Sequence, residues 1–167
     1  FELHEELSLE VLPRLGKMGA VLIDGDHNWF TVYKELKALE KTHPNSKEFP
    51  IVLFHDTEWP YARRDLYYNP ETIPQEFRHS YSKAGLRFGH EQSLKNFHYN
   101  SHLFNAQKEG GAKNGVLTAI EDFIGEYASK CRFVKIPFYH GLGILIPEAR
   151  LQDNPKLLEF VSSIETA

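Results

Sequence analysis

The stretch Ala20-Val-Leu-Ile-Asp-Gly-Asp-His27 constrains what this chain can fold into more than any other. Four apolar residues run without interruption into two acids and a histidine. A short continuous apolar run is the pattern of a buried parallel strand, and open α/β sheets carry their chemistry at the carboxyl ends of such strands. Gly25 between the acids lets the backbone turn sharply where a side chain would clash. The same grammar returns at Ile51-Val-Leu-Phe-His-Asp56. If the two strands are neighbours, Asp24, Asp26, His27, His55 and Asp56 converge on one small site.

The segment between the two runs reads as the helix of a βαβ unit. Asn28 is placed to cap it, and Trp29, Val32, Tyr33, Leu36 and Leu39 recur at helical spacing as a buried stripe that runs to about Lys41. Lys34, Glu35, Lys37, Glu40 and Lys41 fall on the opposite, solvated side. Residues 42–49, with Pro44, Asn45 and Ser46, read as a loop. This unit predicts parallel strands with a right-handed crossover. Upstream, residues 8–15 predict a short helix capped by Ser8 and cut short by Pro13. The loose alternation of residues 1–7 fits the end of a strand.

Residues 57–113 break the pattern. They are rich in Tyr, His, Arg, Asn and Pro, with no sustained period, and read as a lid or substrate loop. The one helix expected within them spans residues 93–107. Beyond them, residues 116–129 predict a helix whose apolar face is Leu117, Ile120, Phe123, Ile124 and Tyr127. Residues 132–138 and 142–146 predict an antiparallel hairpin turning at His140-Gly141, and residues 151–164 a last helix. The predicted fold is α/β: a partial, Rossmann-like sheet of about four strands, mostly parallel with a C-terminal antiparallel hairpin, flanked by helices and carrying a long insertion at 57–113.

At 167 residues the chain is read as one domain, and 41% hydrophobic with 25% charged residues is an ordinary globular balance. A net charge of -4 offers no basic excess for general binding of nucleic acid. No apolar run reaches membrane-spanning length. The single cysteine, Cys131, allows no internal disulfide, and a cytoplasmic, reducing location is expected. The chain opens at Phe1 and reaches a strand by Ala20, so the first half of a larger fold is expected to lie outside it.

VLIDGDHNWFTVYKELKALE followed by FPIVLFHD resembles the second half of a class I S-adenosylmethionine-dependent methyltransferase, in the bacterial group with a strand-end D-G-D-H and a later H-D. HDTEWPYARRDLYYNPETIP and EGGAKNGVLTAIEDF resemble that group's insertion and following helix. The resemblance runs from about Ser8 to Pro147. It implies that Ala20–Ile23 is the fourth strand of a seven-stranded sheet, residues 51–54 the fifth, and residues 132–146 the sixth and seventh, one of them antiparallel. It implies S-adenosylmethionine as cofactor, bordered here by Asp24 and Gly25, and transfer of its methyl group to a hydroxyl of a sugar-like or small natural-product acceptor. The family's glycine-rich loop after the first strand, and the acid after the second, have no counterpart in these residues.

The side chains at the two strand tips suit that chemistry. Methyl transfer needs a deprotonated acceptor oxygen aligned with the methyl group, and a protein supplies position, a base and in some cases a divalent cation. Asp24, His55 and Asp56 are candidate ligands for Mg²⁺ or another divalent metal, an imidazole favouring Mn²⁺, Fe²⁺ or Zn²⁺. Asp24 and His27 are the candidate catalytic residues, His27 as general base. The blander alternative makes Asp24 and Asp26 caps of the helix that begins near Asn28. Arg63 and Arg64 are candidates to clamp an anionic substrate, one of them alternatively pairing with Asp65 or Glu58. Trp59 and Tyr61, with Tyr67 and Tyr68, are candidates to stack on the acceptor, core packing of the insertion being the alternative. His79, His90, His98 and His102 lack metal-ligand spacing.

Two other functions compete. One is a metal-dependent phosphohydrolase, given the His55-Asp56 dyad, although the further histidine motifs of such enzymes are missing. The other is a non-catalytic half-fold that works by pairing with another chain or with a second copy of itself. In that case Ala20–Ile23 becomes an exposed apolar edge.

Overall fold

The computed structural model describes residues 1–94 and 98–166. The two apolar runs form β1 (Ala20–Ile23) and β2 (Ile51–His55), which pair in parallel with Ile23 opposite Phe54. Between them α2 (Trp29–Thr42) follows a shorter α1 (Ser8–Val11). The Asn28 side chain caps α2, its Oδ1 accepting from Thr31 N at 2.9 Å. The C-terminal hairpin is β6 (Cys131–Ile136) and β7 (Leu142–Pro147). It joins the sheet through β7, giving the order β1-β2-β7-β6 with β7 antiparallel to both neighbours. Three strands thus run one way and one opposes them.

Strand alternation divides the core between the two faces. Val52, Phe54 and Leu145 pack with Trp29, Leu36, Val116, Ile120 and Phe123 beneath α2 and α3 (Val116–Glu126). Ile144, Ile146 and Val134 point the other way, onto Leu151 of α4 (Glu148–Gln152) and Val161 of α5 (Pro155–Glu165). Full burial of Phe49, Phe54 and Phe123 is worth roughly 1.5–3 kcal/mol each. β1 lies at the sheet edge, paired only with β2, and its Leu22 is exposed. No helix among the described residues is long and apolar enough to cross a membrane.

Several local expectations are corrected. Residues 1–7 form no strand, and Ser8 is the first helical residue rather than the cap, with Leu7 in that place. Pro13 sits in a 3-10 turn, Leu12–Arg14, that continues α1. The single last helix is two, because Asn154 caps α5, accepting from Leu157 N, and Pro155 occupies its first turn. The insertion is not without structure: β3 (Leu66–Tyr67), β4 (Tyr81–Lys83) and β5 (Phe104–Ala106) form an antiparallel sheet in the order β3-β5-β4. The helix expected over residues 93–107 is replaced at its C-terminal end by β5; residues 95–97 lie outside the described residues. Strands of two or three residues fall below the length at which alternation is legible.

Asp65 ties the insertion to the main sheet. It is fully buried, and its Oδ1 accepts from Trp29 N at the start of α2 and from Gly115 N at the start of α3, both at 2.7 Å. Its Oδ2 accepts from the Tyr67 hydroxyl at 2.8 Å. Burial outweighs these bonds and raises its pKa to about 6. Asp65→Ala leaves three buried donors unpaired and is expected to cost roughly 3 kcal/mol or more in urea unfolding, with Asp65→Asn costing less than half of that.

Glu35 does not lie on a solvated face. It is buried against α1, and burial raises its pKa to about 7; the Ser8 hydroxyl opposes that shift and the charge of Asp26 adds to it. The folded pKa exceeds the ordinary 4.5, so the fold holds the extra proton. The stability linked to that proton is full below pH 4.5 and is lost as the pH rises through 7. Glu35→Gln is therefore expected to match the parent near pH 4 in urea unfolding and to exceed it at pH 8, by on the order of 3 kcal/mol. Equal stabilities at both pH values would contradict a buried neutral Glu35.

Candidate functional site at the strand tips

The parallel register sets Asp24 beside His55, because the last paired residues are Ile23 and Phe54. The acids of the Asp24-Gly-Asp26 turn are not needed as helix caps. Asn28 and Asp65 already accept from the first amides of α2, and Asp26 Oδ2 takes the Thr31 hydroxyl at 3.1 Å. At the tip of β2, Asp56 adopts a left-handed φ of 60°, a conformation costly for a residue with a side chain. It nevertheless keeps its carboxylate buried beside both histidines.

His27 closes the cluster. Its Nε2 lies 3.2 Å from Asp56 Oδ2 and 3.5 Å from Asp24 Oδ1, yet it makes no hydrogen bond to either, and Nδ1 has no partner among the described residues. Both ring nitrogens are buried. The ring is held between Tyr61, at 5.6 Å between centroids, and Tyr68, at 6.0 Å. Leaving a buried imidazole unpaired costs free energy. One donor atom each from Asp24, His27 and Asp56 lies within 4.8 Å of the other two. Donors around a single ion at bonds of about 2.1 Å sit about 3–4 Å apart. Two carboxylates and a neutral imidazole fit a divalent first-row metal, and such an ion would satisfy His27.

His55 stands differently. Its Nδ1 is bonded to Asp56 Oδ2 at 2.8 Å and lies 3.4 Å from Asp24 Oδ1. Burial disfavours its charge, but the bond to Asp56 and the charges of Asp56 and Asp24 outweigh burial and hold its pKa above the ordinary value. Its ring is about a third exposed. The cluster therefore holds one buried imidazole without a proton partner and one open imidazole engaged with a carboxylate.

The four candidate substrate residues separate. Tyr61 reaches the site with its ring while its hydroxyl donates to Asn105 and accepts from Asn100. Trp59 stands one ring further out, beside His140, whose ring in turn faces His55 at 6.2 Å. Arg63 is bound through two nitrogens to Glu121 and also to Thr118. Arg64 is buried, donating to the carbonyls of Ala106 and Glu91, with Glu109 as its ion-pair partner. Neither arginine pairs with Asp65 or Glu58; Glu58 binds Lys135. The sequence marks His140 only as part of a turn. Its Nδ1 meets Trp59 O at 2.9 Å and its Nε2 meets the Tyr99 hydroxyl at 3.2 Å. The available signal was Tyr139-His140-Gly141 at a hairpin tip, where all three residues take positive φ.

No protein-family model, no curated protein and no solved structure matches this chain.

The donor set has a direct thermal readout. Mn²⁺ at about a hundred times its dissociation constant is expected to stabilise the chain by about 2.7 kcal/mol, raising Tm by about 5–10 °C. His27→Ala is expected to abolish the rise and His55→Ala to retain most of it. Loss in His55→Ala alone would make His55 the ligand instead.

Proposed function

We propose that these residues form the acceptor side of an S-adenosylmethionine-dependent O-methyltransferase, acting on the hydroxyl of a small molecule with a divalent metal at the strand tips. The observation that carries the reading is the convergence of Asp24, His27, His55 and Asp56 from two adjacent parallel strands on one partly open cluster. The sheet supports it too: the C-terminal hairpin contributes one opposed strand, as the resemblance implies.

When bound, the cofactor supplies an electrophilic methyl group. This chain's contribution toward it is an uncovered turn, since a Cβ at Gly25 would meet no atom within 4 Å. The glycine-rich loop and the ribose-binding acid of the family have no counterpart in residues 1–167. Asp24, His27 and Asp56 would hold the metal, which lowers the pKa of a bound hydroxyl. His55 then takes the role of proton acceptor that the sequence assigned to His27. It is the more exposed imidazole, and its bond to Asp56 supports the imidazolium that forms on protonation. Tyr61 and Tyr68 wall the cluster on the His27 side.

The test maps backbone amide shifts of the Mn²⁺-free chain during titration with S-adenosylmethionine, repeated with Mg²⁺. Saturable shifts centred on Asp24–His27 are expected. If those amides stay still while Mn²⁺ still binds, the reading that this chain by itself meets the cofactor at Asp24 and Gly25 is overturned. Manganese-dependent hydrolysis of p-nitrophenyl phosphate would then favour the phosphohydrolase.

A further inference from the structure

A cavity of about 400 Å³ opens behind the Asp24-Gly-Asp26 turn, between α1, α2 and the insertion. Its walls are mixed. Leu7, Leu9, Phe30 and Ile73 give it an apolar body, and Tyr68 separates it from the His27 ring. Three acids line it, Glu6, Asp26 and Glu35, and among the described residues no Lys, Arg or His does.

The three acids are not equivalent. Glu6 is paired with Arg14 at 2.7 Å. Asp26 has only the Thr31 hydroxyl, and no cation lies within ion-pair distance of it among the described residues. Glu35 is the decisive one. Only 4% of it is exposed, and its Oε2 is buried with no hydrogen-bond partner among the described residues. A buried carboxyl oxygen without a partner is costly unless something that enters the cavity satisfies it. Two carboxyls without a cationic partner among the described residues, in a largely apolar cavity, make a negative potential, so a positive group placed there is held more strongly than at the open surface.

We propose that this cavity is a binding site for an organic cation, an ammonium group on an apolar body, with the ammonium held by Glu35 and Asp26 and the body against Phe30, Tyr68 and Ile73. An ammonium offers up to three donors, enough to serve both carboxyls at once. The size of the space fits a small aryl or alkyl amine rather than a metal ion. Glu35, half protonated near neutral pH, loses its proton to bulk as the cation enters. The site stands apart from the metal cluster and does not rest on the methyl-transfer reading.

The test is isothermal titration of the chain at pH 7.5 with phenethylamine and hexylamine, against their uncharged counterparts 2-phenylethanol and hexanol. Both amines are expected to bind saturably, each at least tenfold more tightly than its alcohol. Glu35→Gln and Asp26→Asn are each expected to weaken amine binding at least tenfold. Glu35→Gln remains folded on the stability argument above, which far-UV circular dichroism checks. In the parent chain, intermolecular NOEs from the phenyl protons to Phe30 and Ile73 are expected and give a readout independent of either variant. The proposal is overturned if neither amine binds saturably, if alcohols and amines bind alike, if both variants bind as the parent does, or if the NOEs fall elsewhere.

Discussion

Everything at the strand tips depends on one buried carboxylate, Asp65. Two helices begin beside the site, and each presents backbone amides that need acceptors. A single oxygen of Asp65 meets Trp29 N and Gly115 N, so the starts of α2 and α3 are fixed to the same atom. The next residue, Leu66, donates its N–H to His27 O at 2.9 Å. The first strand of the small sheet thus holds the backbone of the buried imidazole at His27 O while Asp65 holds Trp29 N two residues on. Charged acceptors of several amides are worth more than neutral ones, and removing one strands all its donors at once. The insertion is therefore part of the scaffold of the site.

The insertion explains why both acids of the Asp24-Gly-Asp26 turn are available for chemistry. An acid at a helix start is ordinarily read as a cap. Here Asn28 and Asp65 have taken that work, and Asp24 and Asp26 face two different spaces: Asp24 the histidine cluster, Asp26 the cavity behind it. Residue 25 as glycine leaves the turn between them open. Asp56, in its left-handed conformation, completes the cluster from the neighbouring strand. Such strain at a buried carboxylate is characteristic of sites where position matters more than stability.

Much of this was legible in the sequence for plain reasons. Continuous apolar runs named β1 and β2, helical spacing named α2 and α3, and Asn28 named its own cap. The shared grammar of the two strands predicts Asp24, Asp26, His27, His55 and Asp56 at one site; four of them meet there, and Asp26 turns instead to the cavity behind. Other features were not legible because they depend on partners distant in sequence. Glu35 falls on the polar side of α2 by spacing, and only the packing of α1 over it makes it buried. Arg64 reads as a substrate clamp or a partner of Asp65 or Glu58, and only the fold brings the Ala106 and Glu91 carbonyls that enclose it. The roles of His27 and His55 turn on which ring nitrogen meets which oxygen, and spacing carries no information about that. The small sheet is built of strands too short for alternation to register.

The proposed chemistry requires a divalent metal at Asp24, His27 and Asp56. The most direct measurement is anomalous diffraction from a crystal soaked in Mn²⁺. A peak within bonding distance of His27 Nε2 and of one oxygen each of Asp24 and Asp56, with His55 left to Asp56, is the predicted result. A peak ligated by His55 without His27, or no peak at the strand tips at saturating Mn²⁺, would contradict it.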